Sequence, residues 1–207
     1  PPPPGGSTSM ALRQPVEIRD VEVDDAASLI ELWSACAEAV GDEGSEAYTQ
    51  QGLWRRPTEA EAREAIEFNA REHRRRFLVA LVGGEVVAAA AADIATLNPI
   101  TMSRVMIVSD LQVRPTHRRR SIASGLLAVI AAHAEEENCE LVLASSAAHA
   151  REPNRYLTKL GFNQIAVLRA IPVGKLNARL AAKASGRETG RLLAVRRSLR
   201  RRAAVRG

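Results

Sequence analysis

The chain has 207 residues, of which 46% are hydrophobic and two are cysteines, so its length fits one folded domain with terminal extensions. It contains no run of about 18 apolar residues, so we expect no membrane-spanning helix, and two isolated thiols exclude a disulfide framework and favour a cytoplasmic protein. The net charge of +5 arises in 187–206, where eight arginines stand against one glutamate, so the basic balance says little about the rest of the chain.

The N-terminal part of the chain predicts one strand followed by two helices. Apolar and polar residues alternate over 16–23, which predicts a strand with one buried face. Asp24-Asp25 offers an N-cap for a helix over 26–40. Turn-forming residues dominate 41–57, which indicates a long connection. A Thr-x-x-Glu capping box then opens a second helix over 58–73.

The following segments predict a hairpin and a βαβ unit. The pair Gly83-Gly84 separates two apolar runs, which is typical of a tight β-hairpin turn. This order of elements indicates a mixed sheet covered by helices. In chain order we expect strands over 77–82, 85–92 and 101–113, a helix over 119–137, a strand over 139–145, a helix over 152–160 and a strand over 163–171.

The junction between strand 101–113 and helix 119–137 has the composition of an anion site. Three arginines at 118–120 precede small residues at 121 and 123–125. The first N–H groups of a helix have no partner within the helix, and the helix dipole favours negative charge there. Small side chains let a phosphate approach those groups. The junction therefore predicts a ligand that carries a pyrophosphate.

Two motifs in this order of elements resemble the GNAT superfamily of acyl-CoA N-acyltransferases. The family signature after the fourth strand, [Arg/Gln]-x-x-Gly-x-[Gly/Ala], is matched by Arg-Arg-Arg-Ser-Ile-Ala at 118–123. A helix that ends in Leu-Gly-Phe, a second family feature, corresponds to 154–162. The resemblance covers 16–171, so we expect 1–15 to be a disordered leader and 172–207 to be a basic helical tail.

The resemblance implies an α/β (mixed α+β) fold of the GNAT type, in which about four helices flank a central, twisted, largely antiparallel mixed sheet. The sheet of this family splays between its fourth and fifth strands at a β-bulge, which falls near Ser109-Asp110 here. The pantetheine arm of the coenzyme pairs with the freed strand edge, and the pyrophosphate rests on amides at the helix start. The implied contacts with acetyl-CoA, the co-substrate, are Leu111, Gln112, Val113, Arg118, Arg119, Arg120, Ser121, Ile122, Ala123, Ser124 and Asn154.

Two positions depart from the family pattern. Ser121 stands at the glycine of the signature, and we expect its backbone to keep helical angles while its side chain crowds the phosphate slightly. The tyrosine that many members use as general acid falls on Leu157, which cannot donate a proton. Tyr156 is adjacent, but one helical step turns a side chain by about 100°. Tyr156 is therefore either the acid or a residue that packs beside the coenzyme channel.

Acylation of an amine needs a base, because the pKa of the amine is near that of lysine. Asp110 is the first candidate, since it lies where the strand should splay; alternatively, loop amides satisfy this carboxylate. Glu22 and the acidic residues of 42–46 are weaker candidates, which either attract a cationic amine or are solvated. His117 is a phosphate partner or a packing residue, and His149 is a base or a surface residue.

Three aromatic residues lie on or between the first two predicted helices, in the region that walls the acceptor site of this family. They are Trp33, Tyr48 and Trp54. The helical position of Trp33 also fits a core residue. Tyr48 and Trp54 lie in a polar connection, which favours contact with a substrate.

These features predict an N-acetyltransferase that moves an acetyl group from acetyl-CoA to an amine-bearing small molecule or protein by direct transfer in a ternary complex. Because Leu157 replaces the usual acid, a non-catalytic acyl-CoA sensor is the alternative. The arginines of 187–206 leave open a contact with nucleic acid or the ribosome, an anionic membrane surface or solvent. No spacing of His, Cys and carboxylate residues indicates a metal site.

Overall fold

The computed structural model describes residues 15–39, 55–146, 151–166 and 169–184. The chain divides into two compact units between Phe162 and Asn163. The elements of the first unit are β1 (Val16–Asp20), α1 (Ala26–Ala39), α2 (Glu59–Arg71), β2 (Arg75–Val82), β3 (Glu85–Thr96), β4 (Arg104–Val113), α3 (Ile122–Glu136), β5 (Cys139–Ala144) and α4 (Arg151–Lys159). The described part of the second unit contains the helix α5 (Val173–Ala184).

The strands of the described residues form one sheet in the order β1-β2-β3-β4-β5. All neighbours are antiparallel except β4 and β5, which are parallel. This arrangement confirms the predicted mixed, largely antiparallel sheet. The predicted strand over 163–171 is wrong for the residues described, because 163–166 and 169–171 belong to no helix or strand. Alternation of apolar residues is a local pattern, and it does not reveal whether a neighbouring strand is available to pair.

Helices cover both faces of the sheet, and the alanines of β3 make this close packing possible. Ala88 and Ala90 face α3 and belong to the core cluster that includes Leu126 and Ile130 of that helix. Ala89 faces the opposite side, where α1 and α2 pack. Because these alanines are fully buried and small, both helix layers can lie directly on the sheet.

Two local signals of the sequence take the predicted form. The Glu61 N–H donates to Thr58 Oγ1 at 3.2 Å, and the Thr58 N–H donates to Glu61 Oε2 at 2.8 Å, which is a capping box at the start of α2. Gly83 and Gly84, with φ of 59° and 82°, form the β2–β3 turn. The predicted N-cap at Asp24-Asp25 is replaced by a short 3-10 helix, Val23–Asp25, which runs directly into α1.

A β-bulge in β4 decides which side chains face α1. Ala92 pairs with Val108, but Ala91 pairs with Asp110, so Ser109 is an extra residue in the ladder. Successive side chains of a strand alternate between faces, and an extra residue reverses the alternation beyond it. Asp110 consequently leaves the face of Val108, which packs toward α3, and faces α1. The bulge therefore lies where the family resemblance implied it.

The parallel pairing of β4 with β5 stops at this bulge. The last paired residues are Val108 and Ala144, while β4 continues to Val113. The C-terminal half of β4 thus keeps β3 on one side and has no β5 partner on the other. Among the described residues, no helix is long and apolar enough to cross a membrane.

Candidate coenzyme cradle and catalytic cleft

The arginine-rich turn after β4 has an unusual backbone. A short 3-10 helix, Pro115–His117, leads into it, and both Arg119 and Ser121 adopt positive φ angles of 63° and 61°. The expectation that Ser121 keeps helical angles is wrong, because Ser121 is the left-handed N-cap of α3. This region costs an L-residue about 1–2 kcal/mol, since Cβ crowds the carbonyl oxygen, whereas glycine has no Cβ. The cost is the physical reason for glycine at this place in the signature.

The turn presents a row of unbonded amides. The first hydrogen bond within α3 runs from the Gly125 N–H to the Ser121 carbonyl at 3.0 Å. Within the part of the chain that the structure describes, the N–H groups of 119–124 donate no hydrogen bond. Left-handed residues next to a helix start make a concave set of N–H groups that binds anions. The predicted residues Arg118, Arg119, Arg120, Ser121, Ile122, Ala123 and Ser124 therefore lie together in one turn with unbonded amides, which we name the anion-binding turn after its predicted role.

An acidic residue of α4 pairs with the arginines of this turn. Glu152 lies 2.8 Å from the Arg119 guanidinium and 3.9 Å from that of Arg118. The hydrogen bond from Arg119 lowers the pKa of Glu152 below its usual range. Arg120 is exposed and has no ion pair among the described residues. Sequence reasoning missed Glu152, because no local signal links α4 to a turn more than thirty residues earlier.

The free edge of β4 adjoins the turn. The Arg114 N–H donates to the Val87 carbonyl at 2.8 Å, which continues the β3–β4 register beyond Val113. Bonded and non-bonded pairs alternate along an antiparallel ladder, so Gln112 and Asp110 bond to β3. The backbone N–H and C=O groups of Leu111 and Val113 are then directed to the edge that β5 does not reach.

Asp110 lies in a partly buried setting beneath α1. Its Oδ1 accepts a hydrogen bond of 2.8 Å from Gln112 Nε2. Burial raises the pKa of Asp110 above its usual range, and this effect outweighs the lowering by hydrogen bonds from Gln112 and Trp33. A carboxylate with a raised pKa is a better proton acceptor than an ordinary one. Of the predicted bases that lie within the described residues, Asp110 has the environment that suits the task.

Two residues of α1 lie beside the C-terminal half of β4. Trp33 packs edge-to-face on Phe77, with ring centroids 6.2 Å apart, and also interacts with Asp110. Trp33 therefore packs against the core and also lies beside the candidate base, whereas its place in the wall of an acceptor site stays a prediction. Cys36 is buried and its thiol donates to the Val113 carbonyl at 3.4 Å. Burial raises the pKa of Cys36, against the effect of the nearby Arg118 and Arg114.

A pair of hydroxyl groups joins α4 to the start of α3. Tyr156 Oη lies 2.9 Å from Ser124 Oγ, so the Tyr156 ring is directed toward the anion-binding turn. Leu157 is buried, and its carbonyl accepts the Phe162 N–H at 3.1 Å in the turn that ends the helix. The hydroxyl at this end of α4 thus comes from Tyr156, one helical step from the position that the family pattern indicates.

The remaining predicted residues have other surroundings. Asn154 Oδ1 accepts a hydrogen bond of 2.8 Å from Ser146, just beyond β5. The Glu22 N–H donates to Asp25 Oδ2 at 2.8 Å, and the Glu22 carbonyl accepts the Asp25 N–H at 3.0 Å at the start of the 3-10 helix before α1. His117 Nδ1 lies 3.0 Å from Thr116 Oγ1. Tyr48, Trp54, the acidic residues of 42–46 and His149 lie outside the described residues, and the described ones contain no cluster of metal-ligating side chains.

The sequence matches one family model over most of the first compact unit. The model describes the Acetyltransferase (GNAT) family and matches residues 28–162. This range includes the sheet from β2 to β5, the anion-binding turn and α4. No match is found among curated proteins.

Solved structures with the same fold span this unit. A transcriptional regulator from Bacillus halodurans C-125 has 16% identity and a TM-score of 0.63 over 76% of this chain and 99% of its own. An aminoglycoside acetyltransferase from an uncultured soil metagenomic sample has 24% identity and a TM-score of 0.57 over 77% and 99%. A ribosomal-protein-alanine N-acetyltransferase from Brucella melitensis biovar Abortus 2308 has 18% identity and a TM-score of 0.57 over 76% and 99%. At these identities the similarity establishes the fold.

Proposed function

Because the chain belongs to the GNAT acetyltransferase family, we propose that it transfers an acetyl group from acetyl-CoA to an amine by direct attack in a ternary complex. The observation that carries the proposal is the continuity of two binding surfaces. The unpaired edge of β4 at Leu111 and Val113 leads directly into the turn whose amides at 119–124 lack partners. One surface suits an amide-containing arm and the other suits a pyrophosphate, and a coenzyme A thioester carries both groups in series.

The coenzyme would be held mainly by backbone groups. The N–H and carbonyl of Leu111 and the N–H of Val113 would exchange hydrogen bonds with the pantetheine amides, as one strand does with another. The N–H groups of 119–124 would hold the pyrophosphate at the positive end of α3. Gln112 lies on the α1 side of β4, where its amide holds Asp110, so its side chain supports the base rather than the coenzyme.

Asp110 would act as the general base. The amine nitrogen attacks the thioester carbonyl carbon, a C–N bond forms, the C–S bond breaks, and the amine proton passes to the Asp110 carboxylate directly or through water. The raised pKa of Asp110 suits this role, because a carboxylate of higher pKa accepts a proton from the amine more readily. The Trp33 ring beside it would form one wall of the acceptor site, and Tyr48 and Trp54 are the further contacts we propose from the sequence.

Tyr156 would protonate the departing thiolate of the coenzyme. Its hydroxyl lies at the first turn of α3 next to Ser124, where the helix dipole stabilises the phenolate that forms. Asp110 gains one proton and Tyr156 loses one in each turnover, and both residues return to their starting state by proton exchange with solvent. Asn154, which receives a hydrogen bond from Ser146, would keep the start of α4 beside the coenzyme.

Two measurements test the proposal in sequence. Acetyl-CoA binding only to the native state must raise thermal stability, by about 2.7 kcal/mol at 100 times its Kd. Release of free thiol is then followed over a panel of aminoglycosides, small polyamines and peptides with a free N-terminus. We expect a thermal shift and one class of acceptor that accelerates thiol release. Absence of any thermal shift would refute the coenzyme-binding surface itself.

A second candidate function is a non-catalytic acyl-CoA sensor. The buried Leu157 at the position of the usual acid favours it, because leucine cannot protonate a thiolate. It predicts the same thermal shift without thiol release for any acceptor, so a single productive amine rules it out. The third alternative, a contact with nucleic acid or the ribosome, depends on 187–206, which lie outside the described residues.

A further inference from the structure

The helix α5 of the second compact unit carries an exposed apolar stripe. Val173, Leu176 and Leu180 follow one another at spacings of three and four residues, which places their side chains on one face of the helix. Their exposed fractions are 73%, 41% and 52%. Single exposed apolar residues are common on protein surfaces, but a row of them on one helix face is typical of a surface that binds a partner.

A stripe of cations runs beside the apolar stripe. It consists of Lys175, Arg179 and Lys183, at intervals of four residues. Arg179 lies three residues after Leu176, and Lys183 lies three residues after Leu180, so the two stripes adjoin on the helix surface. The three cations are exposed and form no ion pair within the part of the chain that the structure describes, and α5 itself contains no Asp or Glu. A partner that fits α5 therefore has negative charge next to an apolar region.

We propose that α5 binds the surface of a bilayer that contains anionic lipid, with the helix axis in the plane of the interface. The apolar stripe would enter the boundary between headgroups and acyl chains, and the long basic side chains would extend to the lipid phosphates. An anionic surface also attracts each basic residue that lies near it. The sequence after α5 adds eight arginines and one glutamate over 187–206, which increases this attraction.

The inference is independent of the proposed function, since no residue assigned to the coenzyme or to catalysis belongs to α5. Two other partners fit the helix less well. If two copies of α5 paired along the apolar stripe, the side chains that border the stripe would be cations in both copies and would repel each other. A nucleic acid would neutralise the cations but leave the apolar stripe in water, and α5 has no aromatic side chain on which a base could stack.

The test is co-sedimentation of the whole protein with extruded phosphatidylcholine vesicles, with and without about 20% phosphatidylserine. We expect partition onto the anionic vesicles to be stronger by about tenfold or more, and the difference to shrink at high salt. The leucine variant, Leu176→Gln with Leu180→Gln, removes the apolar stripe but keeps good helix formers. It should lower partition onto the anionic vesicles by about 10- to 100-fold. The cation variant, Lys175→Gln with Arg179→Gln and Lys183→Gln, should lower it by a similar factor of about 10 to 100.

The matched control is Ile100→Gln with Met102→Gln. It removes two apolar side chains that are even more exposed, at 92% and 89%, from the connection between β3 and β4. The control should bind the anionic vesicles within about twofold of the wild-type chain. A loss equal to that of the leucine variant would overturn the assignment of the contact to α5. Circular dichroism of each variant confirms that the comparison concerns folded protein.

Three further results would overturn the proposal. Equal partition onto neutral and anionic vesicles would remove the role of the cations. A loss in the cation variant with none in the leucine variant would mean that charge alone binds the surface, as expected of a protein that binds nucleic acid. Absence of binding to either kind of vesicle would exclude the bilayer, and a dimer that the leucine variant dissociates in sedimentation velocity would then assign the apolar stripe to a second copy of this chain.

Discussion

Asp110 accepts a hydrogen bond of 2.8 Å from Gln112, two residues further along the same strand. The two side chains share a face because the extra residue at Ser109 reverses the alternation of β4. Without the bulge, Asp110 would lie on the face of Val108 and enter the core beside α3. The bulge thus turns a carboxylate toward α1 at the point where the pairing of β4 with β5 ends.

Replacement of Asp110 by Asn tests the candidate base. We expect kcat to fall by about 100- to 10,000-fold, the usual contribution of general base catalysis, while the Kd of acetyl-CoA stays unchanged. The fold should not be weakened at neutral pH. Burial makes the charged form of Asp110 unfavourable in the native state, and the amide removes that charge while it keeps the shape.

The pH dependence of the same variant gives an independent readout. Because the pKa of Asp110 is raised in the folded protein above 3.8, the native state binds this proton more tightly than the unfolded state. Its contribution to stability is present at low pH and is lost as the pH rises through the folded pKa. The wild-type rate should fall on the acidic side at a pH above 3.8. An identical acidic limb in Asp110→Asn would exclude Asp110 as its cause.

Ser121→Gly should stabilise the protein. The left-handed backbone of Ser121, at φ 61° and ψ 11°, strains an L-residue, and glycine should recover about 1 kcal/mol despite its larger chain entropy in the unfolded state. The measurement is the free energy of unfolding in urea. Ser121→Ala is the control, since it removes the hydroxyl but keeps the Cβ, and it should give no gain. Equal stabilisation by both variants would attribute the effect to the hydroxyl.

The local features of this chain could be predicted from the sequence, whereas contacts between distant segments could not. The capping box of Thr58 and Glu61 and the turn at Gly83-Gly84 need only a few neighbouring residues. The left-handed angle of Ser121 was missed because serine is compatible with helical angles, and the conformation follows from how the turn joins β4 to α3. The interaction of Trp33 with Asp110 joins α1 to β4, so the pattern of neither segment predicts it.

The position of the Tyr156 hydroxyl also depends on tertiary packing. The spacing to Leu160-Gly161-Phe162 predicts the general acid at Leu157. The turn of about 100° between successive helical residues disfavours Tyr156 for the same role. In the fold, Leu157 is buried and Tyr156 is the residue that reaches Ser124. The rotation of α4 about its own axis determines which of the two side chains faces Ser124. Packing against the core sets this rotation, and the spacing of residues in a motif does not encode it.

Glu152→Gln should increase the affinity for acetyl-CoA. The Glu152 carboxylate lies 2.8 Å from the Arg119 guanidinium. A phosphate in the turn competes with this carboxylate for Arg119 and is repelled by its negative charge. Since an exposed ion pair is weak in water, we expect the Kd to fall by up to about fivefold, and the gain to shrink at high salt. Glu67→Gln, which removes a comparable exposed pair with Arg71 on α2, should have no effect. A weaker affinity in Glu152→Gln would mean that Glu152 orients Arg119 for the coenzyme.

Tyr156→Phe decides between the two roles of this residue. If the phenol protonates the thiolate, kcat should fall by about 100-fold or more with little change in KM. Changing the acceptor to an amine of high pKa should not restore kcat. If the ring only packs beside the coenzyme, the variant should lose at most the hydrogen bond to Ser124, about 1 kcal/mol of stability, and retain kcat. Ser124→Ala separates the two contributions, since it removes the same hydrogen bond but leaves the phenol. We expect Ser124→Ala to match Tyr156→Phe in thermal stability and to keep most of the wild-type kcat; an equal loss of kcat in both variants would contradict Tyr156 as the acid.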